Sequence, residues 1–411
     1  MGKRNLNPEF YSLCLLAISL PIIEFTKNLA CLLLLVFFLY QTITSKRKVL
    51  CSPVGNCILI FVIGSIIAAI GAYVNGYDIG KIRDIIRYGS VGWMMIYIPL
   101  SKAKIYTLLT LLILSTTVAI INAYWSLHEG REKYFELRSI GHINHSSIYI
   151  LLTIGATIPL LFLNQYKKIN LVILWILLAL LMVGLLESNS RATMLALVCI
   201  SINLVFIGFL KSRESGIMTT SGVLLLAALF FASQPSVFHK ISDNDIVFVS
   251  DVKTPREKIW NTTWQAWKHS PVFGIGYGNY NIITAEQLSK WNPEKNIDYN
   301  NQETYLYSSH AHNRFLNTLV EGGVIGFLSL IVLLFGILFA VWEYKKNILE
   351  NNHALAFWLI LANTLITISV VGLFNTTLHH EHGLLTMMLL ALSLRFLSYH
   401  LHEKAINENV V

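Results

Sequence analysis

The chain has 411 residues, 55% of them hydrophobic and only 13% charged, with a formal net charge of +8 and a mean hydropathy of +0.58. Soluble domains carry about a quarter of their residues as charges. This composition therefore excludes an ordinary soluble enzyme, gives no reason to expect a nucleic-acid partner, and implies an all-α polytopic membrane protein surrounded by lipid.

Taken in chain order, apolar runs near 10–26, 29–45, 55–74, 84–100, 105–125, 147–166, 169–187, 192–210, 216–233, 314–341, 354–374 and 383–400 read as helices of roughly 17–25 residues, the length a bilayer requires. That makes twelve transmembrane helices. The first follows a basic start with no small-residue cleavage site and reads as a retained helix. Lys3/Arg4, Lys46/Arg47/Lys48, Lys102/Lys104, Lys167/Lys168, Lys211/Arg213 and Lys345/Lys346 fall in alternate connections. Short loops rich in Lys and Arg stay cytoplasmic, so both termini are expected inside. The plan is then helices 1–9 over 1–233, a large periplasmic loop with short amphipathic helices over 234–313, helices 10–12 over 314–400, and a cytoplasmic tail over 401–411. The five cysteines, at 14, 31, 51, 57 and 199, are expected to be small core hydrophobes rather than a disulfide framework.

Positive charge also appears on the face expected to be periplasmic. Lys81, Arg83 and Arg87 stand at the start of the fourth helix. Arg131, Lys133, Arg138, His142 and His145 lie in the next outer loop, Arg191 in the turn between helices seven and eight, and Arg256 in the long loop. Each alone is explained by headgroup contact; several at one level point to a shared anion site. Arg256 has the clearest context. Thr254, Pro255 and Glu257 read as N-cap, first helical residue and capping-box partner, so Arg256 occupies a first turn where the helix dipole favours an anion. Trp260, Trp264 and Trp267 follow on the same stripe and read as a packing face at the membrane surface.

In "SSHAHNRFLNTLVEGGVIGFL" (308–328), His312 offers an imidazole able to take a proton from a hydroxyl near neutral pH. Gly322, Gly323 and Gly326 suit close approach of a neighbouring helix. "FGIGYGNY" reads as a turn at a cavity rim, and Tyr277, Tyr280, Trp291, Tyr299 and Tyr305 as loop packing. Asp243/Asp245 and the run His379, His380, Glu381, His382 are short, common patterns and weak metal candidates.

His312-Asn313, nine residues, then Gly323-x-x-Gly326 resembles the H-[N/S/Q]-x9-G-x-x-[G/T/Y] signature of the O-antigen ligase family. "NSRATMLAL" and "REKIWNTTWQAWKHSPVFGIGYGNY" resemble that family's Ser-Arg segment and its Arg-x-x-x-Trp…Pro-x-x-Gly-x-Gly segment, in family order; Ala192 stands where many relatives carry glycine. The resemblance implies a glycosyltransferase of the bacterial inner membrane that moves a glycan from undecaprenyl pyrophosphate to lipid A-core at the periplasmic face, without metal or cofactor. His312 is then the expected base, and Arg191 and Arg256 the pyrophosphate ligands. Asn313 would orient the histidine or the acceptor, and Arg138, Arg83 and Arg87 would be further phosphate contacts. An O-antigen polymerase or a protein O-glycosylating ligase of the same superfamily would use the same machinery. A twelve-helix transporter is disfavoured because the helix interiors are nearly free of charge.

Overall fold

The computed structural model describes residues 7–44, 52–161, 168–233, 254–293, 297–345, 348–349 and 351–408. Lys3/Arg4, Lys46/Arg47/Lys48, Lys167, Lys346, Cys51 and Asp243/Asp245 lie outside them.

The described elements are helical: α1 Pro8–Ser19, α2 Glu24–Thr44, α3 Pro53–Val74, α4 Ile82–Tyr97, α5 Lys102–His128, α6 Ile143–Leu161, α7 Lys168–Glu187, α8 Arg191–Lys211, α9 Arg213–Ser233, α10 Pro255–His269, α11 Ala285–Trp291, α12 Arg314–Tyr344, α13 Asn352–Gly372 and α14 His380–Glu408. The only strand-like contact among the described residues is an isolated bridge between Leu137 and Gly141. Nine of these helices are long and apolar enough to cross a membrane. The chain is a multi-pass membrane protein.

Each expected helix has a counterpart; three of them, α1, α4 and α9, are outside those nine, and α1 and α4 are short. At 1.5 Å per residue, the 12 residues of α1 reach about 18 Å and the 16 of α4 about 24 Å, against a hydrocarbon core of ~30 Å. The first run breaks because Pro21 cannot donate to the helical ladder; the Ile22 and Ile23 amides turn back onto the Ser19 carbonyl. In α4, Lys81, Arg83 and Asp84 occupy the start and replace apolar length with charge.

Packing is inside-out relative to a soluble protein. α2, α7 and α8 expose Leu32, Val36, Leu39, Val172, Ile176, Val198, Ile202 and Phe206 along their lengths, as lipid contact requires. α6, α13 and α14 are the most enclosed. α12 packs on α3, α14 on α4, and α13 on α6, α8 and α14. The described cysteines are free and half-buried.

The segment between α9 and α12 has its own small core, with Ala266, Ile275, Tyr280, Ile283, Leu288, Tyr299, Tyr305, Ala311 and Val320 buried together. The tyrosines of this loop pack, as expected. The glycine pair behaves differently from expectation. Gly323 is not helical (φ 61°, ψ −164°) and breaks α12. Into the break goes loop backbone, not a neighbouring helix: Val324 N–H donates to Pro271 O at 2.8 Å, while Ile275 and Gly276 N–H donate to the Val320 and Glu321 carbonyls at 2.9 Å. A Cβ on Gly323 would lie 2.2 Å from Val272 O, so only glycine fits both the angle and the space.

Candidate active site

At one end of the bundle an open pocket of about 650 Å³ is lined by Asn144, Asn189, Ser190, Arg191, Ala192, Thr254, Pro255, Arg256, His312, Phe374 and Asn375. The three residues singled out for chemistry, Arg191, Arg256 and His312, thus meet although they are far apart in sequence. Two helix N-termini converge there. α8 opens at Arg191 with Ser190 as N-cap, whose side chain makes no cap hydrogen bond. α10 opens at Pro255, with the Thr254–Glu257 capping box in place. The uncapped amides of α8 and the positive dipole ends of two helices, with two exposed guanidinium groups, suit an anion. The Arg256 guanidinium lies 5.7 Å from the Phe374 ring centre.

His312 is held by its neighbours. It is one of four non-glycine residues with positive φ among the described residues, the others being Asn189, Leu378 and His380; Asn189 shares its pocket. Such backbone costs energy and persists where surroundings fix it. On one side of His312, the Ala311 amide donates to Asn317 Oδ1 at 3.1 Å, and its carbonyl accepts from the Trp260 indole at 3.1 Å. Asn317 Nδ2 in turn donates to Glu321 Oε2 at 2.8 Å, and Glu321 Oε1 accepts from Gly278 N–H at 3.0 Å. On the other side, Asn313 caps α12: its Oδ1 accepts from Phe315 and Leu316 N–H at 2.9 and 3.0 Å, and its Nδ2 donates to Leu373 O at 3.0 Å.

Both ends of the Asn313 amide are therefore committed to backbone. It positions His312 through the chain, a more specific arrangement than the expected contact with histidine or acceptor. Burial first, then the Arg256 guanidinium and His142, hold the His312 imidazole below its ordinary range, so it is neutral and able to accept a proton at pH 7. His310, whose ring centre lies 4.1 Å from that of His312, is pushed down to about 4, chiefly by burial and then by His312 and His142.

The other arginines are not brought together with these. Arg83, Arg87 and Arg138 line neither this pocket nor its neighbour. Arg87 bonds Asn28 Oδ1 at 2.8 Å and pairs with Asp84 at 3.2 Å; Arg83 and Arg138 are exposed. The adjoining pocket of about 300 Å³ instead holds Lys81, His142, His145, His310, Arg314, His379 and His380. Asn144 and Asn375 are polar lining groups that no local sequence signal marks. Arg314, beside the histidine motif, is buried with Nε and Nη2 unpartnered.

Fold and pocket together define a multi-pass membrane protein with a pocket lined by two arginines and a neutral histidine. A family model described as O-Antigen ligase matches residues 175–331, from within α7 to within α12, and so includes all three of these residues. Over that stretch the chain is similar to the O-antigen ligase family, within the O-antigen ligase and polymerase superfamily. No curated protein matches it.

Proposed function

We propose that the chain is an O-antigen ligase: a glycosyltransferase that moves a glycan from undecaprenyl pyrophosphate to the lipid A-core oligosaccharide at the periplasmic face of the inner membrane. The observation that carries this reading is the convergence of Arg191, Arg256 and His312 on one pocket.

His312 takes the proton from an acceptor hydroxyl, whose oxygen attacks the anomeric carbon. The bond from that carbon to the diphosphate oxygen breaks, and its electron pair leaves with the diphosphate. Direct displacement inverts the anomeric centre. Arg191 and Arg256, with fixed charge and planar forks, hold the diphosphate and stabilise the charge it gains. The two helix N-termini add to the same field. The arginines supply charge stabilisation that a metal ion provides in other transferases. Asn144, Asn189 and Asn375 are placed to bond sugar hydroxyls.

The topology that goes with this reading has twelve crossings, cytoplasmic termini and position 312 outside. A cysteine at 312 is then labelled in intact cells by a membrane-impermeant thiol reagent. The activity is tested with the purified chain, a lipid-linked donor and lipid A-core. His312→Ala, Arg191→Ala and Arg256→Ala should each insert normally and abolish transfer. Near-normal rates in all three would overturn the site, and absence of transfer by the unaltered chain would overturn the activity.

A further inference from the structure

The run His379-His380-Glu381-His382 reaches three partners. His380 Nδ1 lies 3.2 Å from Asp84 of α4, and Glu381 pairs with the buried Lys27 of α2. His382, 1% exposed, places Nε2 3.0 Å from His145 Nδ1 of α6. His379 stacks on His145 with ring centres 5.4 Å apart, and its Nδ1 is buried without a hydrogen-bond partner. On either side of His379 the chain bends into the left-handed region, at Leu378 (φ 53°) and His380 (φ 43°). This backbone persists only where the surrounding contacts fix it.

We infer that His145, His379 and His382 form a site for one divalent transition-metal ion, zinc fitting best, which clamps the start of α6 to the turn before α14. One ring nitrogen from each histidine lies within 4.8 Å of the other two. Zinc–nitrogen bonds of ~2.0–2.1 Å in a tetrahedral shell separate neighbouring ligand atoms by about 3.3 Å. The His145–His382 pair, at 3.0 Å, is already near that spacing. A swing of the His379 ring by somewhat more than about 1 Å closes the set, and its unpartnered Nδ1 loses nothing by moving. Two neutral imidazole nitrogens this close share one proton; where the ion takes its place, that proton moves to the other nitrogen of its own ring, so both imidazoles bind as neutral ligands.

Three imidazoles with no carboxylate in the set select a borderline cation over magnesium or calcium. The nearby acids do not compete, because Glu381 pairs with Lys27 and Asp84 with His380 and Arg87. None of the three histidines lines the pocket of Arg191, Arg256 and His312. The ion is thus a brace, and the inference stands independently of the transfer reaction.

The test uses the full chain without a polyhistidine tag, stripped by a chelator and titrated with Co2+ alone. One equivalent should produce d–d bands of a nitrogen-ligated, four- or five-coordinate ion that Zn2+ then displaces, and the melting temperature should rise with occupancy. His145→Ala and His379→Ala, both at half-buried positions, should weaken binding by more than about tenfold. His142→Ala and His310→Ala, outside the set, should leave it unchanged. Failure of the unaltered chain to bind one equivalent, or full retention of binding in the first two variants, overturns the inference.

Discussion

Asn313→Ala separates a positioning residue from a substrate contact. The substitution removes the acceptor for Phe315 and Leu316 N–H and the donor to Leu373 O. Loss of an asparagine N-cap costs ~0.5–2 kcal/mol. The Leu373 carbonyl belongs to an exposed residue and recovers water, so its lost bond adds only ~0.5–1.5 kcal/mol. The expected destabilisation is therefore about 1–3.5 kcal/mol, read from unfolding of the purified protein in detergent. His312, held at φ 49° between Ala311 and Asn313, then loses one of its two anchors. A left-handed residue released in this way relaxes by ~1–2 kcal/mol, and a shift of about 1 Å in a reacting group costs on the order of 100-fold in rate. kcat for glycan transfer should fall about 10- to 100-fold, with KM for donor and acceptor unchanged. Asn313→Asp keeps both acceptor bonds and should retain most of the stability. Unaltered stability in Asn313→Ala together with a raised KM would refute the reasoning and return Asn313 to the substrate.

The other expectations test separate parts of the structure. His312 is held below its ordinary imidazole range, so its neutral, reactive form persists as pH falls and disappears only below about 6.5. Acylation of His312 by diethyl pyrocarbonate, followed by peptide mass spectrometry, should show a midpoint below that of an ordinary imidazole, and Arg256→Gln should move it upward by removing a depressing charge. Gly323→Ala should lower the melting temperature sharply, since a left-handed alanine costs ~1–3 kcal/mol before its contact with Val272 O is counted. Gly222→Ala, with nothing within 4 Å of its added Cβ, should be tolerated. Lys27→Met leaves Glu381 buried and unpaired at ~3–5 kcal/mol, and Lys27→Met with Glu381→Leu should recover most of that in the same melting assay.

What was legible in the sequence was what local chemistry decides. The apolar runs located the helices. Thr254, Pro255 and Glu257 announced the start of α10, because a capping box is written within four residues. Pro21 and the charges at 81–87 carried the shortening of α1 and α4, but a hydropathy reading passes over a single proline. Gly322 and Gly323 signalled close approach without saying of what: the partner is the loop at Pro271–Gly276, about fifty residues earlier, which no periodicity reveals. The pairing of His145 with His379 and His382 was illegible for the same reason. Both clusters are visible, but only the packing of α6 against α13 and α14 brings them together. Asn144 and Asn375 gave no signal, since an isolated asparagine is equally at home in a turn.

In the proposed reaction Arg191 and Arg256 hold the departing diphosphate while His312 acts only on the proton. Binding of undecaprenyl pyrophosphate to the purified chain, compared across Arg191→Ala, Arg256→Ala and His312→Ala, tests it most directly. Affinity should fall in both arginine variants and stay at the unaltered value in His312→Ala. Equal affinity in all three, or a loss confined to His312→Ala, would contradict it.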